Sequence, residues 1–215
     1  MSIKTLWPTN IVVKFDALSP NDLRELEAIG AEYDQDHPEA HVPALMRSRP
    51  ETSYNLLTDE RECCERFRGL LTASLRELAE AEGFLEPQTI EFEAVTNLRR
   101  FGPMEYAKPH NHRNSEYVAV LFLSLKMTDT GENLHQKIAG NRLHMIDPMP
   151  MRSRFLNHNM LHAIAPLPGM LVIHPASIFH TTEPNLSDLD LVALVTNVRV
   201  VDPVRGYVRL GAANV

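Results

Sequence analysis

The strongest constraint on this chain is a change of hydrophobic period at Pro87. Before it, apolar residues recur at helical spacing; after it, apolar and polar residues alternate, which is the pattern of strands. Ser19-Pro20 supplies an N-cap and a first-turn proline, and Leu23, Leu26, Ile29 and Tyr33 then mark one helix face. A second helix is predicted from Thr58 or Asp59 to about Ala81, with Cys64, Phe67, Leu71, Leu75 and Leu78 on one face and Gly83 as its stop. Ile11 to Phe15 reads as a first strand at a sheet edge. Beyond Pro87, strands are predicted over Thr89 to Leu98, Tyr117 to Leu125, Arg142 to Ile146, Met170 to His174 and Leu189 to Val201. The approach from Arg99 to Pro109 reads as turn-rich, and residues 37–52 and 147–159 as loops. The result is a mainly β, α+β fold in which helices flank a jelly-roll sandwich or barrel. A single domain, 1–215, is expected, with a helical N-terminal part over about 1–86 and a β core over about 87–215.

Composition narrows the class. With 44% hydrophobic and 23% charged residues the chain is globular, and it holds no apolar run long enough for a membrane helix. Its net charge of -7 and the lack of a Lys/Arg cluster argue against nucleic acid, since phosphate binding depends on clustered cations. Cys63 and Cys64, the only cysteines, are adjacent and do not bridge without strain; they read as helix packing in a reducing compartment. The first residues lack the apolar core of a signal peptide. A cytoplasmic protein that acts on a small molecule is expected, with homodimerisation left open.

Chemistry concentrates in Lys108-Pro-His110-Asn-His112, just before the apolar run from Tyr117. Histidines at i and i+2 of an extended segment share a face, so both imidazoles can hold one ion. A third candidate, His180, closes a segment that opens with the turn Pro168-Gly169 and the short apolar strand Met170-Leu-Val-Ile-His174. Ligands from two remote segments leave coordination positions open, as in non-haem iron oxygenases. Imidazole also suits Zn, Cu and Ni, so three histidines do not select iron, and Glu105 and Glu116 stand near enough in sequence to join them. His174 reads as a packed or surface histidine, and His144 and His135 as surface or strand residues. His37 and His41 read as solvated, and His158 and His162 as loop residues without a role. Met145, Met149, Met151 and Met160 read as gap fillers.

These segments resemble a group of 2-oxoglutarate and Fe(II)-dependent oxygenases from bacteria and phage. The likeness rests on His110-Asn-His112-Arg-Asn114-Ser115, Asp147-Pro148, Pro168-Gly169 through Pro175 to His180, Glu183-Pro184-Asn185 and Asn197. Arg49-Pro-Glu-Thr52 before Asn55-Leu-Leu57 fits as well. The resemblance implies a double-stranded β-helix, cupin-like, with His110, His112 and His180 as Fe(II) ligands at its open end and 2-oxoglutarate as co-substrate. It also implies that Asn97, Asn114 and Asn197 hold co-substrate or support ligands. One position departs from the pattern: Leu191 stands where the group carries an arginine for the far carboxylate of 2-oxoglutarate. Leucine offers a carboxylate no hydrogen bonds, so Arg99, Arg100, Arg142 or Arg199 must serve, or the co-substrate differs. Three functions are compatible with this pattern: an oxygenase hydroxylating a small molecule or a side chain, a three-histidine dioxygenase without 2-oxoglutarate, and a non-catalytic metal-binding barrel.

Overall fold

Two antiparallel sheets face each other across an apolar layer, and two helices cover the outer face of the larger sheet. The computed structural model describes residues 2–6, 9–36, 54–125, 140–146 and 161–201. The strands are β1 (Ser2–Leu6), β2 (Thr9–Lys14), β3 (Glu91–Phe101), β4 (Tyr117–Ser124), β5 (Leu143–Ile146), β6 (Leu161–Ile164), β7 (Leu171–Pro175), β8 (Phe179–Thr182) and β9 (Leu191–Val201). The six-stranded sheet runs β1-β2-β7-β4-β9-β3 and the three-stranded sheet β6-β5-β8. The helices are α1 (Pro20–Asp36) and α2 (Glu62–Ala81). Of the sequence expectations, the mainly β jelly roll with flanking helices is what the chain forms.

The central strand β4 shows why its sequence is apolar throughout. Tyr117, Ala119, Leu121 and Leu123 pack toward the helices, while Val118, Val120 and Phe122 pack toward the small sheet. A strand covered on both faces loses the alternation that a half-exposed strand keeps. The outer layer is closed by Leu23, Leu26 and Ile29 of α1 and Phe67, Leu71, Leu75 and Leu78 of α2. Burial of such side chains contributes about 1.5–3 kcal/mol each. Local signals set the helix ends: Ser19 Oγ accepts from Asp22 N at 3.2 Å and Ser19 N donates to Asp22 Oδ2 at 3.3 Å, a reciprocal cap. Gly83, at φ 88°, lets the chain leave α2. Arg66 then ties α2 to Asp22 at 2.6 Å.

Four expectations shift at element ends. Residues 11–14 lie in β2, one strand in from the edge, because the preceding residues fold back as β1. Strand β3 continues through Arg99, Arg100 and Phe101 because β9 offers partners as far as Leu191. Leu56–Thr58 is a separate 3-10 turn capped by Asn55, so α2 starts at Glu62. His162 lies on β6 rather than in a loop, since β5 pairs with that strand from Leu143 to Ile146. The loop readings for 37–52 and 147–159, with Arg49-Pro-Glu-Thr52, Asp147-Pro148, His37, His41, His135, His158, Met149, Met151 and Met160, lie outside the described residues.

One buried amide ties the strand ends together. Asn185 is fully buried; its Nδ2 donates to Phe101 O at 2.9 Å and Leu189 O at 2.7 Å. Its Oδ1 accepts from Asn141 Nδ2 at 3.0 Å and Ser187 Oγ at 2.8 Å. Its backbone bonds to Met104 and Glu105, in the loop that leads to His110. Gly140, at φ 84°, lies against this corner, where a Cβ would collide with the Pro184 carbonyl. Removing one partner of buried hydrogen bonds leaves the others unsatisfied, at about 1–3 kcal/mol per group. Asn185→Ala should therefore lower the unfolding free energy by about 3 kcal/mol or more. Urea denaturation followed by circular dichroism measures it, and a loss under about 0.5 kcal/mol would contradict a bracing role for Asn185.

Candidate metal centre

The segment carrying His110 and His112 is zipped against β8. His110 N donates to His180 O at 3.0 Å and His180 N to His110 O at 2.9 Å, an antiparallel bridge between the two backbones. Thr182 N bonds to Ala107 O at 3.2 Å on one side of it, and His112 N to Ala176 O at 3.0 Å on the other. The segment thus extends the small sheet beyond β8. The bridge sets His110 and His180 opposite each other, with ring centroids 4.4 Å apart; the His112 ring lies 5.0 Å from His110 and 5.2 Å from His180.

Each ring is held by its Nδ1. His110 Nδ1 lies 2.6 Å from Lys108 O, His180 Nδ1 3.1 Å from Ile178 O, and His112 Nδ1 2.6 Å from Asn197 Oδ1. All three partners are acceptors, so each Nδ1 carries the proton and each Nε2 presents a lone pair. His112 Nε2 is buried without a hydrogen-bond partner among the described residues. The ligand-capable atoms of the three residues lie within 4.8 Å of one another. Metal–nitrogen bonds of about 2.1 Å keep two ligand atoms of one ion within about 4.2 Å, so the rings turn inward to coordinate it. Burial holds His112 and His180 below the usual imidazole pKa, so both are neutral at physiological pH, the form that binds metal. Three oriented lone pairs fit a divalent transition metal.

The neighbouring candidates fall into distinct places. Glu105 accepts from Gly102 N at 2.8 Å and Glu116 from Val200 N at 2.9 Å, so among the described residues the cluster is histidine only. Asn97 sits opposite Val195 and donates through Nδ2 to the Tyr54 carbonyl. Asn114 is exposed, and its carbonyl accepts from Arg199 Nε at 2.8 Å. Arg100 pairs with Glu27 of α1 at 3.4 Å, on the face covered by the helices. Arg142 pairs with Glu183 at 2.5 Å, which also accepts from His144 Nε2 at 3.0 Å. Leu191 is buried in the layer between the sheets. Arg99 lies on β3 opposite Ala193, a residue of that same layer, and its charge helps lower the pKa of His112. His162 aligns with Met145 and His180 across the small sheet.

Of the two readings the sequence allows for His174, packed or surface, the structure has the packed one, against the cluster. It is completely buried, its ring stands edge-on to His180 at 4.7 Å between centroids, and burial pushes its pKa down to about 4. Its matching parity with His180 was the available signal, obscured by the intervening turn. The carbonyls of Lys108 and Ile178 carry no signal in the sequence, because every residue has one.

Residues 98–197 match the family described as "Putative 2OG-Fe(II) oxygenase". Among curated protein sequences none matches significantly. Solved structures share the fold at low identity. A Pseudomonas putida prolyl-4-hydroxylase aligns over 93% of this chain and 97% of its own, with 16% identity and a TM-score of 0.57. A 2OG-Fe(II) oxygenase family oxidoreductase from Burkholderia pseudomallei aligns over 88% and 84%, with 13% identity and a TM-score of 0.51. The non-heme α-ketoglutarate-dependent epimerase SnoN of nogalamycin biosynthesis aligns over 89% and 76%, with 10% identity and a TM-score of 0.57. Residues 98–197, the part of this jelly roll that carries the three-histidine cluster, are thus similar to the 2OG-Fe(II) oxygenases.

Proposed function

We propose that His110, His112 and His180 bind one Fe(II) through Nε2 and that the chain hydroxylates a small molecule or a side chain at that site. The observation that carries this reading is the convergence of three imidazoles whose ligand-capable nitrogens lie within 4.8 Å of one another, each ring being anchored through Nδ1. Fe(II) and 2-oxoglutarate, when bound, supply the oxidation: one atom of O2 ends in the substrate hydroxyl and the other in succinate, as CO2 leaves. The protein's part is to bind, orient and exclude water. Asn197 and the carbonyls of Lys108 and Ile178 keep the imidazoles from rotating, which raises ligand basicity and fixes direction. Val118, Val120, Phe122, Met145 and Leu191 make the space between the sheets apolar, so charges near the metal are weakly screened.

With leucine at 191, we assign the far carboxylate of 2-oxoglutarate to Arg99. Its strand position faces the same layer as Leu191 and Ala193, whereas Arg100 points to the helix-covered face, where it meets Glu27, and Arg142 is held by Glu183. Leu191 also favours a second reading, a three-histidine dioxygenase that does not use 2-oxoglutarate. We also infer a cytoplasmic setting from the two unpaired, buried cysteines; no helix among the described residues is long and apolar enough to cross a membrane.

Anaerobic addition of 2-oxoglutarate to Fe(II)-loaded protein separates the readings: a weak visible charge-transfer band is expected. A metal-loaded protein without that band would favour the second. His180→Ala should abolish stoichiometric Co(II) uptake while far-ultraviolet circular dichroism stays unchanged; retained uptake would remove His180 from the ligand set. Arg99→Leu should raise the 2-oxoglutarate concentration for half-maximal band intensity by about tenfold or more, as loss of a charged hydrogen bond predicts, and Arg100→Leu should leave it unchanged.

A further inference from the structure

A fourth histidine, His174, lies against the three-histidine cluster. His174 is 0% exposed and lies on the face of β7 that carries Val172 into the layer between the sheets. Across the sheet it aligns with Val118, whose other neighbour is Asn197, the residue that holds His112. His174 and Asn197 therefore stand on one row of the large sheet, on the side of the three imidazoles.

The hydrogen bonding of His174 is incomplete in one direction only. Its Nδ1 lies 2.8 Å from Pro175 O, an acceptor, so Nδ1 carries the proton and Nε2 the lone pair. That Nε2 is buried and has no hydrogen-bond partner among the described residues. A cationic ring is not the explanation, because a buried imidazolium without a counter-charge is far costlier than a neutral ring. Leaving the acceptor unsatisfied is costly, and native proteins hold few such groups. A phenylalanine would fill a similar volume at no such cost. The ring is in contact with His180 yet lies outside the set of three whose ligand atoms are mutually within 4.8 Å.

We propose that His174 is a positioning residue whose Nε2 accepts a hydrogen bond from a donor-bearing ligand held beside His110, His112 and His180: a water or a hydroxyl group, never a carboxylate. This rests on the metal-site reading above. A lone pair facing away from β7 repels carboxylate oxygens, so an acidic ligand turns its carboxylates toward β3 and Arg99, while the side next to β7 takes the donor.

Co(II) is the probe, read by its visible d–d band, with Zn(II) for nuclear magnetic resonance. His174→Phe should weaken Co(II) binding about tenfold and shift the band, as loss of outer contacts to a metal site does, and His174→Gln, whose amide oxygen can stand in for Nε2, should restore both to within about threefold. Unchanged affinity and band in His174→Phe overturn the proposal. Should His174→Phe fail to fold, the wild-type protein decides: with Zn(II) bound, long-range ¹H–¹⁵N spectra should show Nδ1 of His174 protonated and Nε2 bare of both proton and metal. A metal-shifted or protonated Nε2 overturns the proposal, leaving the three-histidine site intact. Failure of the wild-type protein to bind either metal removes the site and this inference together.

Discussion

The pair of backbone hydrogen bonds between His110 and His180 is the constraint from which the site follows. Two segments far apart in sequence are locked in register there, at 3.0 and 2.9 Å, before any side chain is considered. An antiparallel bridge fixes both Cα positions and both Cβ directions, so the imidazoles have few rotamers left. The remaining torsional freedom is taken by Nδ1, bonded to Lys108 O in one case and Ile178 O in the other. Both acceptors lie two residues before the histidine they hold, so each anchor is local and forms with the turn itself. His112 differs, because its anchor is Asn197 from β9 of the opposite sheet. That contact is a side-chain tie between the His110–His112 segment and the large sheet at the site.

Such a bridge is only as firm as the strands it joins. The loop before His110 is pinned by Asn185, and the loop after His180 contains it, so one buried amide braces both approaches. Below it, the layer between the sheets is apolar, while the helices seal the other face of the large sheet. The cysteines of α2 belong to that outer seal. Burial pushes the Cys64 thiol up to about 12 and raises Cys63 as well, so they are packing residues with little thiolate character. Chemistry is confined to one end of the sandwich, on backbone that is hydrogen-bonded on both sides.

Much of this was legible in the sequence. The shift of period at Pro87 separated the two helices from strands β3 to β9, though β1 and β2 lie before it, and Ser19-Pro20 and Gly83 marked helix ends, because caps and left-handed stops depend on one or two residues. His110, His112 and His180 were legible as a group, though the reason for their proximity was not: it is a single bridge between the His110 segment and β8, with one further backbone bond on each side. What stayed hidden depends on partners. β1 is recognisable only once β2 is known to need a neighbour, and β3 gains Arg99 to Phe101 only because β9 reaches back to Leu191. That extension turns Arg99 to the interior layer and Arg100 to the helices, a distinction that composition cannot make. His174 is the same case, since its facing depends on β7 pairing with β4.

The choice of ligands has an electrostatic consequence. Three neutral imidazoles leave a divalent ion with its full charge, whereas a ligating carboxylate would cancel part of it. Glu105 and Glu116, the nearest acidic residues in sequence, are bonded to the backbone of Gly102 and Val200. At an effective dielectric constant of 20, unit charges 4 Å apart interact by about 4 kcal/mol, so an uncompensated ion in an apolar layer favours an anion strongly. In the proposed reading, a dianionic 2-oxo acid supplies the missing charge. Metal retention and co-substrate binding are then coupled: each raises the affinity for the other by the same factor, because linkage is reciprocal. In the arrangement proposed above, Arg99 and the Nε2 lone pair of His174 give that dianion a direction, and both residues lie on strands of the large sheet.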